Sequence, residues 1–342
     1  MSDTLLNTYD ALLLDLDGTV YRGHQALPGA EDTVRLAHEA GVTVRFVTNN
    51  ASRGPAEVAQ HLTDLGVPAE PVEVSTSSQA AGSVLAAKLP PGSEVLVVGT
   101  AALEDVVSQA GFRPVRQCTE SVAGVVQGLN QDATWHDLAE ACVAIRAGAY
   151  WVACNVDATL PTERGLLPGN GALVAALRTA TGQEPVVAGK PARPLLDEAV
   201  RSAGAQRPLF VGDRLDTDIA GADAAGMDSM FVLTGVSTPA ELLAAPSPLR
   251  PRYLAADLRA ARCTISELEI RPQPGWDVRT HDNGLVVRSA IGEADEADEL
   301  ALLRALCAAH TSADGGQIEV HAHDDRARQA IGALGLSPAD QR

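Results

Sequence analysis

The chain has 342 residues, of which 46% are hydrophobic and 20% charged, and it carries a formal net charge of −18. That balance excludes a disordered chain and is enough for two or three packed domains. No run of about 18 uninterrupted apolar residues is present to cross a membrane, and the acidity argues against nucleic acid as a partner.

From the N-terminus, MSDTLLNTYD has no basic stretch ahead of its apolar run, and that run meets Asp15 too early for a secretory signal. A cytoplasmic location is expected. Short apolar, β-branched runs then alternate with segments of helical period. The runs cover 11–16, 42–48, 94–99, 122–129, 150–154, 185–188, 208–212 and 229–233; the helical segments cover 30–40, 55–65, 103–110, 135–147, 170–181, 194–203 and 216–225. This alternation predicts an α/β fold whose parallel strands are joined by crossover helices. Several runs are continuously apolar, as strands covered on both faces are. After about Cys263, RPQPG (271–275) reads as a linker. It is followed by a hairpin over 277–280 and 284–288, a helix over 294–309, a strand over 317–322 and a last helix over 324–334, a small α+β unit of its own. The five cysteines, Cys118, Cys142, Cys154, Cys263 and Cys307, show no CxxC pair and no companion histidine cluster, so they read as reduced core residues.

In open parallel sheets the site lies beyond the carboxyl ends of the strands. Four stretches occupy such positions: DLDGT (15–19), TNN (48–50), GKP (189–191) and GDRLDTD (212–218). About 140 residues separate the second from the third, room for an inserted domain. The insertion is placed at 81–185, leaving 1–80 and 186–264 as the core. A carboxylate can approach a phosphate only once the phosphate charge is offset, which a hard cation such as Mg²⁺ does while held by one or two carboxylates. Asp15 and Asp213 are candidate ligands, and Gly18 frees the turn that re-aims Asp17. Gly18, Thr48 and Asn49 suit phosphate oxygens, and Lys190 suits the charge that builds in an in-line transfer. With 24 arginines and only two lysines, Lys88 and Lys190, a lysine beside Pro191 at a strand end is a marked choice. Residue types alone leave several roles open. Asp216 is a metal ligand in place of Asp218, or a helix cap; Asn50 and Ser52 are substrate contacts or caps; Asp17 is an acid or a turn residue.

Taken in order, Asp15-x-Asp17-Gly18-Thr19, Thr48-Asn49-Asn50, Gly189-Lys190-Pro191 and Gly212-Asp213 with Asp218 resemble the four motifs of the haloacid dehalogenase (HAD) superfamily. The insertion resembles a C2-type cap. YRG (21–23), NASR (50–53), CNVD (154–157) and PGNG (168–171) are similar to the subfamily of NagD-like, p-nitrophenylphosphatase-like, phosphoglycolate and glycerol-3-phosphate phosphatases. The resemblance covers about residues 1–263 and implies a Rossmann-like core with a parallel sheet and an Mg²⁺-dependent phosphomonoesterase acting on a small phosphorylated metabolite. It implies Asp15 as the nucleophile that forms an aspartyl-phosphate, and Asp17 as the acid that protonates the leaving oxygen and later the base for water. It also implies a metal held by Asp15, the Asp17 carbonyl and Asp213, with Asp218 orienting them. An acid at the position of Asp17 favours phosphoryl over carbon–halogen chemistry.

In the cap, the resemblance implies that Asn155, Asp157, Leu160 and Arg164 belong to a loop, 155–164, that reads the substrate; Asn155 and Asp157 also read as residues that merely tie the loop. Leu160 and Pro161 suggest a small, modestly apolar pocket, and Asn130 departs from the acid many relatives carry there. The tail, 270–342, resembles a truncated closing part of the GNAT acetyltransferase fold. Its one candidate for a coenzyme A turn, RSAIGEA (288–294), differs in spacing by a residue, so docking or dimerisation is the expected role. With that tail, the chain resembles the actinobacterial glycerol-3-phosphate phosphatases, which makes glycerol 3-phosphate the leading substrate. Phosphoglycolate or a broader sugar-phosphate range is the alternative among enzymes, and a coenzyme-A-responsive regulator the alternative of another class. A homodimer through the cap or the tail is a further expectation.

Overall fold

ALLL and PLFVG are continuously apolar, and together with DSMFV, apolar from Met230, they become neighbouring parallel strands that are buried almost throughout. The computed structural model describes residues 4–162, 164–281, 284–290, 298–310 and 312–336. The chain divides into two compact units, Met1–Val44 with Ala205–Arg342, and Arg45–Gly204.

In the first unit the parallel strands run in the order Tyr253–Ala255, Asp228–Val232, Pro208–Gly212, Ala11–Leu14. Leu14 pairs with Val211 and Val211 with Met230, so the segments after these strands leave the sheet side by side. Leu13, Leu14, Phe210 and Phe231 are fully buried, and each such side chain contributes about 1.5–3 kcal/mol by leaving water. Helix Ala30–Glu39 buries Thr33, Val34 and Ala37, and the Thr33 hydroxyl donates to the Leu258 carbonyl at 2.7 Å. The α-helix expected over 216–225 begins only at Ala220. Leu215–Ile219 form a wider turn, in which Arg214 O accepts from both Asp218 N–H (3.0 Å) and Ile219 N–H (3.2 Å).

The tail belongs to this unit. Trp276–His281 pairs antiparallel with Gly284–Ser289, which pairs parallel with Glu319–Ala322, and helices Glu299–Ala309 and Asp325–Ala333 accompany the sheet. Trp276, Leu285, Leu306 and Ile331 share one hydrophobic cluster with Phe231, Leu242 and Leu254. The buried Arg304 guanidinium donates twice to the Leu254 carbonyl, at 3.1 and 2.8 Å. Residues 291–297, which hold much of the RSAIGEA stretch and the start of the helix expected from 294, lie outside the described residues.

The second unit carries a five-stranded parallel sheet in the order Val186–Val187, Tyr150–Ala153, Val122–Gln127, Glu94–Val98, Arg113–Val115. Helices Trp135–Arg146 and Asn170–Thr181 cover one face through Ala141, Ala144, Ile145, Val174 and Leu177. Val74–Thr76 pairs with Phe46–Thr48, and Thr76 caps helix Ser77–Ala86 by accepting from Gln79 N–H at 3.2 Å. The substrate-reading stretch expected as a loop is in part a hairpin: Thr159–Thr162 pairs antiparallel with Gly165–Pro168. Gly165 adopts φ +99°, which a tight turn demands, and the Thr162 hydroxyl closes it on Gly165 O at 2.8 Å. Among the described residues no helix is long and apolar enough to cross a membrane.

Candidate active site

In the first unit, register brings the acids together. Asp15 N–H donates to Val211 O at 2.9 Å, extending the ladder by one residue, so Asp15 emerges beside Gly212 and Asp213. Asp213 is completely buried. Its Oδ2 accepts from Val236 N–H at 2.7 Å, and Thr19 Oγ1 reaches its Oδ1 at 3.4 Å. Two glycines make this approach feasible. A Cβ on Gly18 (φ +91°) would lie 2.6 Å from Asp213 Oδ2, and one on Gly235 only 1.6 Å away. Thr234 Oγ1 donates to Gly18 O at 2.6 Å, and the Arg22 guanidinium bonds to Thr234 O. The segment after strand Asp228–Val232 thus holds both the turn and the carboxylate.

Asp218 is 1% exposed, and its Oδ2 accepts from the N–H groups of Asp213 (3.2 Å) and Arg214 (3.1 Å). Gly212 leaves room for it, since a Cβ there would come within 2.5 Å of that carboxylate. Oxygens of Asp15, Asp213 and Asp218 all lie within 4.8 Å of one another. Three carboxylates so close repel unless a cation joins them, and an all-oxygen set of this charge suits a hard ion such as Mg²⁺. Asp218 therefore sits with the potential ligands as well as bonding the Asp213 main chain. Asp216 is exposed and pairs with Arg214 at 2.8 Å, apart from that set. The Asp17 side chain is exposed and is not one of the three clustered carboxylates.

In the second unit, Thr48 ends its strand buried, and its Oγ1 accepts from Asn50 N–H at 3.1 Å. Asn49 works as a clamp. Its Oδ1 accepts from Lys190 N–H (2.8 Å), and its Nδ2 donates to Lys190 O (3.0 Å) and to Asp157 Oδ2 (3.1 Å). Its main-chain carbonyl accepts from Ser77 Oγ (2.6 Å) and Asn155 Nδ2 (2.7 Å). Lys190 is 2% exposed, with Nζ donating to Val47 O at 3.2 Å. Thr48, Asn49, Asn155, Asp157 and Lys190 thus stand in one neighbourhood, whereas Leu160 and Arg164 lie on the hairpin, where Arg164 is exposed and bonds Thr162 Oγ1 through its N–H. Asn50 Oδ1 accepts from Ser52 N–H and Oγ, while helix Pro55–Asp64 is capped by Gly54, so neither Asn50 nor Ser52 caps that helix. Asn130 ties a local turn, bonding Gly99 O and Asp132 N–H. Sequence reasoning placed Thr19 in the first motif without a role of its own, and missed the segment 234–237. The signal was present: TGVS follows the strand Asp228–Val232, so the strand-end rule applies to it as to the other four stretches.

Comparison with known proteins bears on both units. Residues 12–113 match the family described as haloacid dehalogenase-like hydrolase, 187–261 the HAD-hydrolase-like family, and 273–336 a GCN5-related N-acetyltransferase like domain. The D-glycerol 3-phosphate phosphatase of Mycobacterium tuberculosis is 46% identical over 346 residues, covering 98% of this chain and 97% of its own. A crystal structure of a glycerol phosphate phosphatase from that organism, in complex with magnesium, is 47% identical and superposes with a TM-score of 0.92 over 98% of this chain and all of its own. The 5′-nucleotidase YutF of Bacillus subtilis is 38% identical over 68% of this chain and 90% of its own. The likeness extends through the tail in the mycobacterial protein and stops short of full length in the bacillar one. On these matches and on the ordered strand-end motifs, the chain belongs to the haloacid dehalogenase-like hydrolases.

Proposed function

We propose that this protein is a cytoplasmic, Mg²⁺-dependent phosphomonoesterase that hydrolyses glycerol 3-phosphate to glycerol and phosphate. The observation that carries the reading is the trio of carboxylates with oxygens within 4.8 Å: Asp15 and Asp213 just past adjacent strand ends, and Asp218 in the turn that follows. The substrate rests on the 46% identity to a D-glycerol 3-phosphate phosphatase along nearly the whole chain.

Bound there, Mg²⁺ supplies positive charge that offsets the phosphoryl oxygens and admits an anionic nucleophile. Asp15 and Asp213 would hold it, together with the Asp17 carbonyl, while Asp218 keeps Asp213 in place and adds charge to the cluster. Asp15 attacks phosphorus, and the ester P–O bond breaks as the aspartyl-phosphate forms. Asp17, exposed and so able to exchange protons, protonates the departing glycerol oxygen. It then takes a proton from the water that attacks phosphorus, which releases phosphate and regenerates Asp15. Thr48, the Asn49 amide and the Lys190 ammonium bind the phosphoryl oxygens through the in-line transfer, whereas the Gly18 N–H, expected to join them, is taken by Tyr21 O at 2.8 Å.

Residues 81–185 act as the C2-type cap, 1–80 and 186–264 as the core, and 270–342 as a docking module. In the cap, Asn155, Asp157, Leu160 and Arg164 select the leaving group, and the cap or the tail supports a homodimer. Phosphate release from a panel of glycerol 3-phosphate enantiomers, phosphoglycolate, sugar phosphates and nucleoside monophosphates tests the substrate. Glycerol 3-phosphate is expected to give the highest kcat/KM. If phosphoglycolate or the sugar phosphates are turned over as well, the narrow assignment is lost and the broad phosphatase reading stands.

A further inference from the structure

We infer that the tail, besides packing on the first unit, is a positioning element for the metal carboxylate Asp213, acting through the short helix Pro239–Ala244. The inference rests on the metal-site reading above. Residues 234–237 grip the site at four points: Thr234 Oγ1 on Gly18 O, Val236 N–H on Asp213 Oδ2, Ser237 N–H on Asp213 O at 3.2 Å, and Ser237 Oγ accepting from Leu215 N–H at 3.1 Å. That segment runs directly into Thr238, which caps helix Pro239–Ala244 through a reciprocal bond pair with Glu241 (2.7 and 3.2 Å).

A helix of six residues has little stability of its own, and its last carbonyls have no partner within the helix. Here the tail supplies those partners. His310, 8% exposed, donates from Nδ1 to Leu243 O at 2.7 Å, and Gly316 N–H donates to Ala244 O at 2.8 Å. Ser247 N–H bonds Ala313 O at 2.9 Å, while the Arg250 guanidinium spans from Ala245 O (3.0 Å) to Ser312 O (2.8 Å). The fit is tight enough that a Cβ on Gly315 would meet Ala244 O at 2.4 Å. Leu242 and Leu243 sit in the same cluster as Leu302, Leu303 and Leu306 of the tail. One end of the helix is therefore fixed by the tail, and the other end carries the segment that aims Asp213.

Partners of a metal ligand typically govern about 10–100-fold in metal affinity, and a brace one helix further away governs less. The test is calorimetric titration of metal-free, full-length protein with MgCl2, for the native chain, His310→Ala and His310→Gln. His310→Ala is expected to bind Mg²⁺ at least about threefold more weakly, with KM for substrate at saturating Mg²⁺ unchanged. His310→Gln, whose amide can donate to the same carbonyl, should recover most of the affinity. Coupling is reciprocal, so Mg²⁺ should also slow hydrogen exchange at Gly316 and through 312–322 in the native chain, a readout that needs no variant. Mg²⁺ affinity unchanged in folded His310→Ala, or tail exchange indifferent to Mg²⁺, overturns the inference alone. No Mg²⁺ binding to the native chain overturns the proposed function, and this inference with it.

Discussion

Gly235→Ala isolates the geometry of the metal site with one methyl group. Gly235 is not among the glycines with positive φ, so alanine strains no backbone there, and the whole effect is steric. The new Cβ would stand 1.6 Å from Asp213 Oδ2 and 2.1 Å from its Cγ, whereas ordinary contact begins at 3.4 Å. Segment 234–237 or the carboxylate must yield by about 1.8 Å. Either movement breaks the bond from Val236 N–H, a bond to a charged group worth about 1.5–3 kcal/mol. That equals about a 10–100-fold loss of Mg²⁺ affinity, the range seen when the partner of a metal ligand is removed. An ion that tolerates little departure from octahedral distances of about 2.0–2.1 Å cannot follow a ligand so far. Titrating phosphate release against Mg²⁺ should show the half-saturating concentration rising by that factor, with kcat lower by about 100-fold at saturation. Gly41→Ala is the control. Gly41 has φ +71° and open space around its Cβ, so alanine should cost about 1–2 kcal/mol of stability and leave Mg²⁺ dependence alone. A folded Gly235→Ala protein with native Mg²⁺ dependence would refute the assignment of Asp213 as a ligand held by this segment.

Three further outcomes are expected. Asn49→Ala removes the clamp on Lys190 and should lower kcat/KM by about 10–100-fold while circular dichroism stays native, because the fault is displacement of a site residue and not loss of the fold. Burial pushes the Cys154 thiol up to about 12, so it should resist iodoacetamide at pH 8 until the chain is unfolded; stoichiometric labelling of the native protein at that residue would contradict its environment. The Thr134 backbone N–H, together with its hydroxyl, holds the Asp137 carboxyl below the usual range. The stabilisation is thus present above the unfolded value of about 3.9 and is lost as pH falls through the lower folded value. Asp137→Asn should lower Tm at neutral pH and leave it unchanged in strong acid, and Thr134→Ala should cost about 1 kcal/mol in denaturant unfolding.

Where one interaction dominates, the sequence was readable. Continuous apolar runs such as PLFVG could only be buried strands, and 208–212 is the strand the structure shows. The helix 170–181 is flanked by glycines on both sides and has the bounds its pattern implies. VST and SSQAAGSVLA stayed hidden, because the strand is three residues long and the helix has too many small residues to display a hydrophobic period. Partnership between strands was also out of reach: 185–188 reads as a strand, but only the register shows Val186 beside Val152. At the site, the residue types Asp15, Asp213 and Lys190 were legible because their chemistry is costly without a purpose. Asp216 and Asp218 could not be told apart, since that choice depends on a wide turn that buries one and exposes the other. The grip on Asp213 comes from the main-chain N–H of Val236, 23 residues away, donating to the Asp213 carboxylate, and no side-chain type announces that donor.

The most direct test of the account is inorganic phosphate release from glycerol 3-phosphate by the native chain and by Asp15→Asn, each with Mg²⁺, after chelation by EDTA, and after Mg²⁺ is restored. The account predicts turnover that vanishes with EDTA, returns with Mg²⁺ and is absent from Asp15→Asn throughout. Full turnover by Asp15→Asn, or native turnover indifferent to EDTA, would contradict it.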